Sequence, residues 1–513
     1  MKSNGVMILD FGSQYTKLIA RRVREENIYS KIFPHNVKLE EIKGIKPAAL
    51  ILSGGPSSVF SDNALKIDPE ILKQNIPILG ICYGLQLLTY TYNGRVEEKN
   101  SGEYGLSKIS IDNSHNIFSN IPNEINTWMS HMDQVTKVPP NWNIIAKSSN
   151  DIIAAVSNED SSRIGLQFHP EVIHTQYGKE ILRNFLIKIA KCPTDWNASN
   201  YVTDQINKIR EEVGESRLII GVSGGVDSTV AAALIHKAIG DQSIAVLIDH
   251  GLMRKNESKI CVAALKKGLG VNIHSYDESS IFLSKLKNKK DPEEKRKIIG
   301  NQFIKSFEKI SKKFGDIRFL AQGTLYPDVI ESGFGVGGKS HTIKSHHNVG
   351  GLPKNMNFKL IEPLRDLFKD EVRKVGMELG IPSDLVQRHP FPGPGLGVRI
   401  IGEITKDRIK ILQEADQIFI DTLYEDGLYN DIWQAFAVLI PIKTVGVMGD
   451  QRTYENLLAL RAVTSTDGMT ADWFKIPDDT LSKISNKIVN SVKGINRVVY
   501  DITSKPPGTI EWE

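Results

Sequence analysis

Short apolar runs, each closed by turn residues, recur through the first two thirds of the chain. The runs of a first series are residues 6–9, 49–52 and 76–81, and those of a second are residues 218–222, 244–249 and 318–322. Each run has the length of a buried strand, and the stretches between them are long enough for helices or further strands. The pattern therefore predicts two successive α/β domains.

Two breaks interrupt this pattern. Residues 191–200 contain proline and small polar residues, and residues 389–397 contain three prolines and three glycines, which forbid regular structure. Beyond the second break, runs rich in valine at residues 445–448 and 497–500 indicate a smaller α+β module. We therefore predict three domains, at residues 5–195, 196–388 and 389–513.

Composition adds limits on the class of protein. The 513 residues are 40% hydrophobic and 24% charged, with a net charge of +4, as in an ordinary globular protein. The three cysteines, Cys82, Cys192 and Cys261, share no metal-ligand spacing and are too few for a disulfide framework. No apolar run has the length of a signal peptide or of a membrane span, so we expect a cytoplasmic protein without a membrane partner. The lysine-rich residues 285–290 predict a solvated surface segment rather than a nucleic-acid site.

Residues 223–228, Ser-Gly-Gly-Val-Asp-Ser, follow a predicted strand directly. A glycine turn that opens a helix at Val226 or Asp227 directs backbone N–H groups and the positive end of a helix dipole at an anion. Asp227 can hold Mg²⁺, and Ser228 adds a hydroxyl group. The spacing matches neither a Walker A loop nor a dinucleotide loop. We interpret it as a site for the phosphates of ATP, with a plain capped turn as the alternative.

A second candidate site lies in the first domain. Cys82, between Gly80 and Gly84, follows a predicted strand and therefore occupies a strand-to-helix elbow typical of nucleophiles, although a buried structural cysteine is the alternative. His169 and Glu171 lie two apart in a segment predicted to be extended, so they can face the same side as a base and its orienting carboxylate. The Ser-Gly-Gly-Pro turn at residues 53–56 can direct N–H groups at an oxyanion.

These motifs resemble those of a class I glutamine amidotransferase domain over roughly residues 5–195. The resemblance implies that Cys82 attacks the side-chain amide of glutamine, that His169 relays protons and that Glu171 orients His169. It places the oxyanion and glutamine pocket at Gly54, Gly55, Tyr83 and Gln86, with further pocket residues within 10–14 and 130–133. Ammonia then leaves for a second site.

The loop at residues 223–228 resembles that of ATP pyrophosphatases. Together with residues 322–332, 343–348 and 505–513, it makes the whole chain similar to the glutamine-hydrolysing GMP synthetases. That family adenylates O2 of xanthosine monophosphate (XMP) with ATP, and ammonia then displaces AMP to give GMP. The resemblance implies an α/β fold with an amidotransferase domain, a parallel-sheet ATP-pyrophosphatase domain of Rossmann-like type, and a small α+β dimerisation domain at residues 389–513.

The same resemblance assigns residues to the synthetase reaction. The ATP-binding residues would be Ser223, Gly224, Gly225, Val226, Asp227, Ser228, Thr229, Asp249 and Lys369, with Asp227 on Mg²⁺. The lid and synthetase residues would be Asp328, Glu331, Lys344, His346 and His347. The XMP-binding residues would be Arg296, Gln434, Arg497, Lys505, Ile510 and Glu511. We expect Mg²⁺ with ATP, and no zinc, haem, flavin or NAD.

Three other functions stay open at this point. A related amidating enzyme, such as an NAD synthetase, would prefer nicotinic acid adenine dinucleotide to XMP. A nucleotide-responsive binding protein would release no pyrophosphate with all substrates present. An enzyme that adenylates a base within RNA would bind RNA in a steeply salt-dependent manner, and we expect no nucleic-acid partner.

Overall fold

The computed structural model describes residues 4–62, 64–333, 358–448, 451–465 and 470–513. They divide into two compact units, the first containing residues up to Asn200 and the second containing residues 201–332 and 358–513. Each unit has its own sheet and hydrophobic core.

A nine-stranded mixed sheet forms the first unit. Its strands are β1 (Val6–Asp10), β2 (Ser30–Pro34), β3 (Ala49–Leu52), β4 (Ile78–Ile81), β5 (Arg95–Ile111), β6 (Glu124–Lys137), β7 (Trp142–Ser148), β8 (Ile153–Asn158) and β9 (Arg163–Leu166). Their order in space is β2-β1-β3-β4-β9-β8-β7-β5-β6. The pairs from β2 to β9 are parallel and the others antiparallel. The carboxyl ends of β3, β4 and β9 therefore meet at one edge, where a site of an α/β protein is expected.

Helices bury the parallel part of this sheet. They are α1 (Thr16–Glu25), α2 (Leu39–Ile45), α3 (Pro69–Leu72), α4 (Tyr83–Thr91) and α5 (Gly178–Arg183). The strands β3 and β4 are buried at every position, as expected of strands covered on both faces. Helix α4 packs its leucines into the same core as Leu50 and Leu52 of β3.

A five-stranded parallel sheet begins the second unit. Its strands are β10 (Leu218–Val222), β11 (Ser243–Asp249), β12 (Ile273–Asp277), β13 (Phe319–Ala321) and β14 (Lys359–Ile361), in the spatial order β12-β11-β10-β13-β14. Its helices are α6 (Ala198–Val213), α7 (Val226–Ile239), α8 (Glu257–Ala263), α9 (Ser279–Leu286), α10 (Pro292–Ser311), α11 (Tyr326–Gly333), α12 (Lys369–Glu378) and α13 (Ser383–Val386). The strand order reverses beside β10, so the loop after β10 lies at a topological switch point, where ligands bind.

The last part of the second unit contains a mainly antiparallel sheet. Its strands are β15 (Gln434–Met448), β16 (Gln451–Thr464), β17 (Asp472–Trp473) and β18 (Ile495–Tyr500), and β18 pairs in parallel with β16. Helices α14 (Lys406–Glu425) and α15 (Asp478–Ser491) pack on it. One continuous core joins the two sheets, from Ile219 and Val246 to Leu458 and Ile484.

The predicted fold class is confirmed: the chain has an α/β amidotransferase-like part, a parallel-sheet part and a C-terminal α+β part. The boundaries at residues 195 and 388 stay predictions. No helix in the described part of the chain is long and apolar enough to cross a membrane.

Candidate active site

Cys82 occupies the predicted elbow between β4 and α4. It adopts φ 52° and ψ −104°, a left-handed conformation that L-residues with a side chain rarely adopt. The turn is tight because helix and strand touch through glycines: a Cβ atom on Gly80 would lie 2.5 Å from the carbonyl carbon of Gly84. The Cys82 amide donates to the Leu166 carbonyl oxygen at 2.7 Å, which fixes the elbow against β9. Strain of this kind is characteristic of a functional residue.

His169 and Glu171 form the predicted imidazole–carboxylate pair beside Cys82. Nδ1 of His169 lies 2.8 Å from Oε1 of Glu171, and Cys82 is a second hydrogen-bond partner of the imidazole. Burial opposes a charged imidazolium, but Glu171 and Cys82 together raise the pKa of His169 well above its usual value. The two side chains meet as predicted, but the backbone that joins them is not extended. The strand β9 ends at Leu166 and residues 167–171 form a bend and a turn, not an extended segment.

The glycine turn after β3 borders the same thiol. A methyl group on Gly54 would lie 3.2 Å from Cε1 of His169 and 3.7 Å from Cβ of Cys82. At Gly55 an added Cβ would come within 2.5 Å of the Phe11 carbonyl oxygen, so only glycine fits there. The backbone at residues 54–55 thus lies close to the nucleophile, and Tyr83, which begins α4, follows the nucleophile directly.

The predicted pocket residue Gln86 lies on the first turns of α4 and is buried. Its Nε2 donates to the Asp133 carbonyl oxygen at 3.0 Å. The sequence reasoning missed Gln167, whose Nε2 donates to the Cys82 sulfur at 3.7 Å. The spacing of Gln167 two residues before His169 was the signal for it. The carbonyl oxygen of Ser130, within the predicted pocket segment 130–133, accepts from the Cys82 thiol at 3.7 Å.

Helix α7 begins at Val226, as predicted, and the predicted phosphate-binding loop leads into it. Gly224 has φ +83°, which only glycine adopts readily. The hydroxyl groups of Ser223 and Ser228 lie 3.1 Å apart, and Ser228 Oγ accepts from the Ser223 amide at the same distance. Thr229 donates to the Gly225 carbonyl oxygen at 2.8 Å. The loop is therefore preorganised by its own side chains at the N-terminus of a 14-residue helix.

Asp227 and Lys369 meet beside this loop. The Lys369 ammonium, at the first position of α12, lies 3.2 Å from Oδ2 of Asp227. Oδ1 of Asp227 is buried and has no hydrogen-bond partner among the described residues. A carboxylate oxygen left unpaired next to a phosphate-binding loop suits a hard cation such as Mg²⁺. Within the described ranges no group of three or more His, Cys, Asp or Glu side chains is arranged to hold a metal ion, so phosphates or water would complete the shell of such a cation.

Two other acidic residues predicted for the site form hydrogen bonds with nearby residues of the chain. Asp249 at the end of β11 accepts from the Gly251 amide at 2.9 Å and from the Ser258 hydroxyl at 2.7 Å. Asp328 accepts from the Leu325 amide at 3.1 Å and so caps α11. Glu331 lies on α11, but its side chain is outside what the structure describes. Lys344, His346 and His347 lie outside the described residues.

Two predicted XMP-binding residues, Gln434 and Arg296, contact the C-terminal residues 510–513, which include two more, Ile510 and Glu511. Gln434 donates to Oε1 of Glu511 at 2.7 Å, and the Arg296 guanidinium donates to the Glu513 carbonyl oxygen. Ile510 is buried in the C-terminal core. Lys505 pairs with Ala471 through its backbone, and Arg497 is exposed on β18, where Nη2 lies 3.5 Å from the Val445 carbonyl oxygen. Among the described contacts none joins Arg497 to the terminal residues.

Two fully buried arginines hold this terminal segment, and the sequence reasoning missed both. Arg399 binds Glu511 with two hydrogen bonds of 3.1 and 2.8 Å. Arg461 on β16 donates to the carbonyl oxygens of Ile510, Thr503 and Thr509, each at 2.9 Å. An arginine within the apolar run of β16 was the signal for the second. The segment is therefore anchored along its length.

The fold and the two sites define a two-part enzyme, an amidotransferase joined to an ATP pyrophosphatase. Family models agree with this class. The model for class-I glutamine amidotransferases matches residues 7–189, the NAD synthase model matches residues 198–306, and the model of the GMP synthase C-terminal domain matches residues 421–512.

Curated relatives match over the full length. The chain is 55% identical over 515 residues to a protein of Chlorobaculum tepidum named GMP synthase (glutamine-hydrolyzing), with 99% of each chain covered. It is 53% identical over 508 residues to a protein of the same name from Brachyspira hyodysenteriae, again with 99% of each chain covered. A Lactobacillus johnsonii protein of that name is 54% identical over 509 residues, which are 99% of this chain and 98% of that one. The chain belongs to the family of glutamine-hydrolysing GMP synthases. The predicted class, a ligase with glutamine as amide donor, is confirmed.

Proposed function

We propose that this chain converts XMP to GMP, with glutamine as the nitrogen source and ATP as the activating substrate. The reaction consumes glutamine, XMP, ATP and water and yields glutamate, GMP, AMP and pyrophosphate. The observation that carries the proposal is the presence in one chain of the Cys82–His169–Glu171 set and of the loop at residues 223–228.

In the first unit Cys82 is the nucleophile. His169 takes the thiol proton, and the buried Glu171 carboxylate stabilises the imidazolium that results. The thiolate then adds to the side-chain carbonyl carbon of glutamine. The backbone at Gly54 and Gly55 faces the oxygen on which negative charge develops. When the intermediate collapses, His169 returns the proton to the leaving nitrogen, ammonia departs and a glutamyl thioester remains on Cys82. Water then hydrolyses the thioester, which releases glutamate and restores the thiol.

In the second unit the helix α7 N-terminus and Lys369 hold the phosphates of ATP. Mg²⁺ bound to Asp227 would neutralise charge on the leaving pyrophosphate. The O2 atom of XMP attacks the α-phosphorus, pyrophosphate leaves, and the resulting AMP ester makes O2 a good leaving group. Ammonia then displaces AMP at C2. The terminal segment, with Glu511 fixed by Arg399 and Gln434, supplies acceptors for the purine or ribose of XMP.

We further propose a homodimer formed through residues 389–513 and a cytoplasmic location, with no nucleic-acid or membrane partner. Four large apolar side chains on β15 and β16 support the dimer, because they are exposed in the single chain: Ile442, Val445, Val447 and Tyr454. The lid role of Lys344, His346 and His347, the ribose role of Asp249 and the XMP role of Arg497 and Lys505 also belong to this proposal.

The test separates the two units by nitrogen source. Pyrophosphate release is measured with XMP and ATP, using either glutamine or ammonium. Cys82→Ala abolishes the glutamine-dependent reaction and keeps the ammonium-dependent one, whereas Cys192→Ala, at a buried cysteine away from the site, keeps both. Loss of both reactions in a folded Cys82→Ala protein would contradict the proposal.

The match to the NAD synthase model favours one alternative acceptor for residues 198–306. Nicotinic acid adenine dinucleotide is therefore tested against XMP with ammonium as donor. Preference for the dinucleotide would overturn the assignment of XMP.

A further inference from the structure

Glu103 is a buried carboxylate on β5 that glutamine hydrolysis as proposed above does not use. It is 7% exposed and lies directly opposite His131 of β6 in the antiparallel register. Its Oε1 accepts from Ser148 Oγ at 2.9 Å and from Asn150 Nδ2 at 2.8 Å. Its Oε2 is buried and has no hydrogen-bond partner among the described residues. Burying such an oxygen is costly unless another group compensates.

The compensating group is the imidazole of His131. Its Nδ1 lies 3.0 Å from the Asp133 carbonyl oxygen, and since a carbonyl only accepts, Nδ1 carries a hydrogen. Its Nε2 has no described hydrogen-bond partner and faces Oε2 of Glu103 at 3.6 Å. A carboxylate oxygen and an unprotonated ring nitrogen are both acceptors, so their contact is favourable only when one of the two groups carries a proton. Burial outweighs the opposing effect of Glu103, so the pKa of His131 lies below its usual value.

This pair is attached to the backbone that surrounds the nucleophile. The Ser130 carbonyl oxygen, one residue before His131, accepts from the Cys82 thiol at 3.7 Å. The Asp133 carbonyl oxygen accepts from His131 and also from Nε2 of Gln86 at 3.0 Å. Residues 130–133 therefore touch both the thiol and a side chain of the predicted glutamine pocket. They lie on the stretch of β6 that pairs with β5 at Glu103 and Tyr104.

We propose that Glu103 and His131 form a buried positioning pair, which fixes residues 130–133 of β6 beside Cys82 for glutamine hydrolysis. The inference rests on the proposed function of Cys82. The carboxylate binds hydroxyl and amide donors with Oε1 and packs Oε2 against the His131 ring. The pair lies where β6 passes the thiol. Neither side chain touches the substrate.

The experiment compares Glu103→Gln, Glu103→Ala, His131→Ala and the double alanine variant. Each is assayed for glutamine-dependent and ammonium-dependent GMP formation by the full chain. Each single alanine substitution lowers kcat/KM for glutamine about tenfold or more and leaves the ammonium-dependent rate within about twofold of the wild-type rate. The double variant is no more than about threefold worse than the weaker single variant, since the two residues act as a unit.

Glu103→Gln distinguishes positioning from mere core filling. Its carboxamide keeps an acceptor for Ser148 and Asn150, and its N–H₂ group can face Nε2 of His131 as a donor. It therefore retains about a third or more of the wild-type kcat/KM. Glu124→Gln is the matched control, because it breaks the exposed pair that Glu124 forms with Lys108 at 2.7 Å between the same two strands. It changes neither reaction.

If the alanine variants do not fold, His131→Asn replaces them. Asparagine keeps an N–H for the Asp133 carbonyl but leaves Oε2 of Glu103 buried and unpaired, so kcat/KM for glutamine falls about tenfold. Three results would contradict the proposed positioning pair. They are wild-type activity of His131→Asn or Glu103→Ala, equal loss of the glutamine-dependent and ammonium-dependent reactions, and a Glu103→Gln variant as weak as Glu103→Ala. If the wild-type protein has no glutaminase activity, or no more glutaminase activity than the Cys82→Ala variant, the proposed function is contradicted instead.

Discussion

Glu171→Gln tests how much of glutamine hydrolysis depends on one buried charge. The carboxylate is fully buried, and its Oε1 lies 2.8 Å from Nδ1 of His169. Its Oε2 is buried without a described hydrogen-bond partner, so its negative charge is directed mainly at the imidazole. Glutamine has almost the same shape and no charge. The substitution therefore removes the counter-charge for the imidazolium while keeping the packing.

Two effects add in this variant. A hydrogen bond to a charged group contributes about 1.5–3 kcal/mol and a neutral one about 0.5–1.5 kcal/mol, so losing the charge costs about 1–2 kcal/mol. The carboxamide N–H₂ would find no acceptor where Oε2 now lies, which favours the flipped amide. The flipped amide donates to Nδ1 and fixes the wrong tautomer of His169, and restoring the productive tautomer costs about 1–2 kcal/mol more. The sum of about 2–4 kcal/mol corresponds to a fall of about 30- to 1,000-fold in kcat for glutamine hydrolysis.

The assay is glutamate release at saturating glutamine, with ammonium-dependent GMP formation by the same preparation as the internal control. Glu159→Gln makes the same chemical change at an exposed glutamate and is expected to match the wild type. Because Glu171 raises the pKa of His169, that pKa falls in the variant, as a histidine titration by NMR would show. A decrease smaller than about threefold, or an equal loss of the ammonium reaction, would refute the reasoning.

Three further predictions concern the second unit. Gly224→Ala places a Cβ at φ +83° and 2.8 Å from Cε of Met253, so KM for ATP rises about tenfold while glutaminase activity is unchanged, as initial rates would show. Arg399→Lys loses the two-bond contact with Glu511, so KM for XMP rises with little change in KM for ATP; equal changes in both would contradict this. Burial lowers the pKa of His389 from 6.5 to about 4. As the pH falls, this imidazole therefore takes up a proton in the unfolded chain before it does so in the folded chain. The free energy of unfolding in urea then decreases by up to about 3 kcal/mol between pH 6.5 and 4, and His389→Gln flattens that slope.

Local sequence signals predicted the parts of the two sites that local structure builds. The elbow at Cys82 and the helix start at Val226 each follow from a short apolar run and adjacent glycines, which act over a few residues. The contact between His169 and Glu171 was predicted from an extended segment and is made by a turn. The two residues still meet because their close spacing allows it in either conformation.

Residues that act through distant partners were not predictable in this way. Arg399 and Glu511 are 112 positions apart, and Glu103 and Asn150 are 47 apart. The local sequence pattern does not indicate which partner a buried charged residue contacts, because tertiary packing determines that contact. Arg461 lies within an apolar run, yet the terminal carbonyl groups that its guanidinium binds lie 42, 48 and 49 residues further along the chain.

The strained backbone conformation of Cys82 affects which residues are favourable at this position. A left-handed conformation at a residue with a side chain costs about 1–3 kcal/mol, and that cost would vanish if glycine stood there. The surrounding close contacts at Gly80 and Gly84 impose the conformation whatever residue occupies the elbow. Selection for stability alone would therefore favour replacing the thiol with glycine. A cysteine persists at this position only while glutamine hydrolysis is needed.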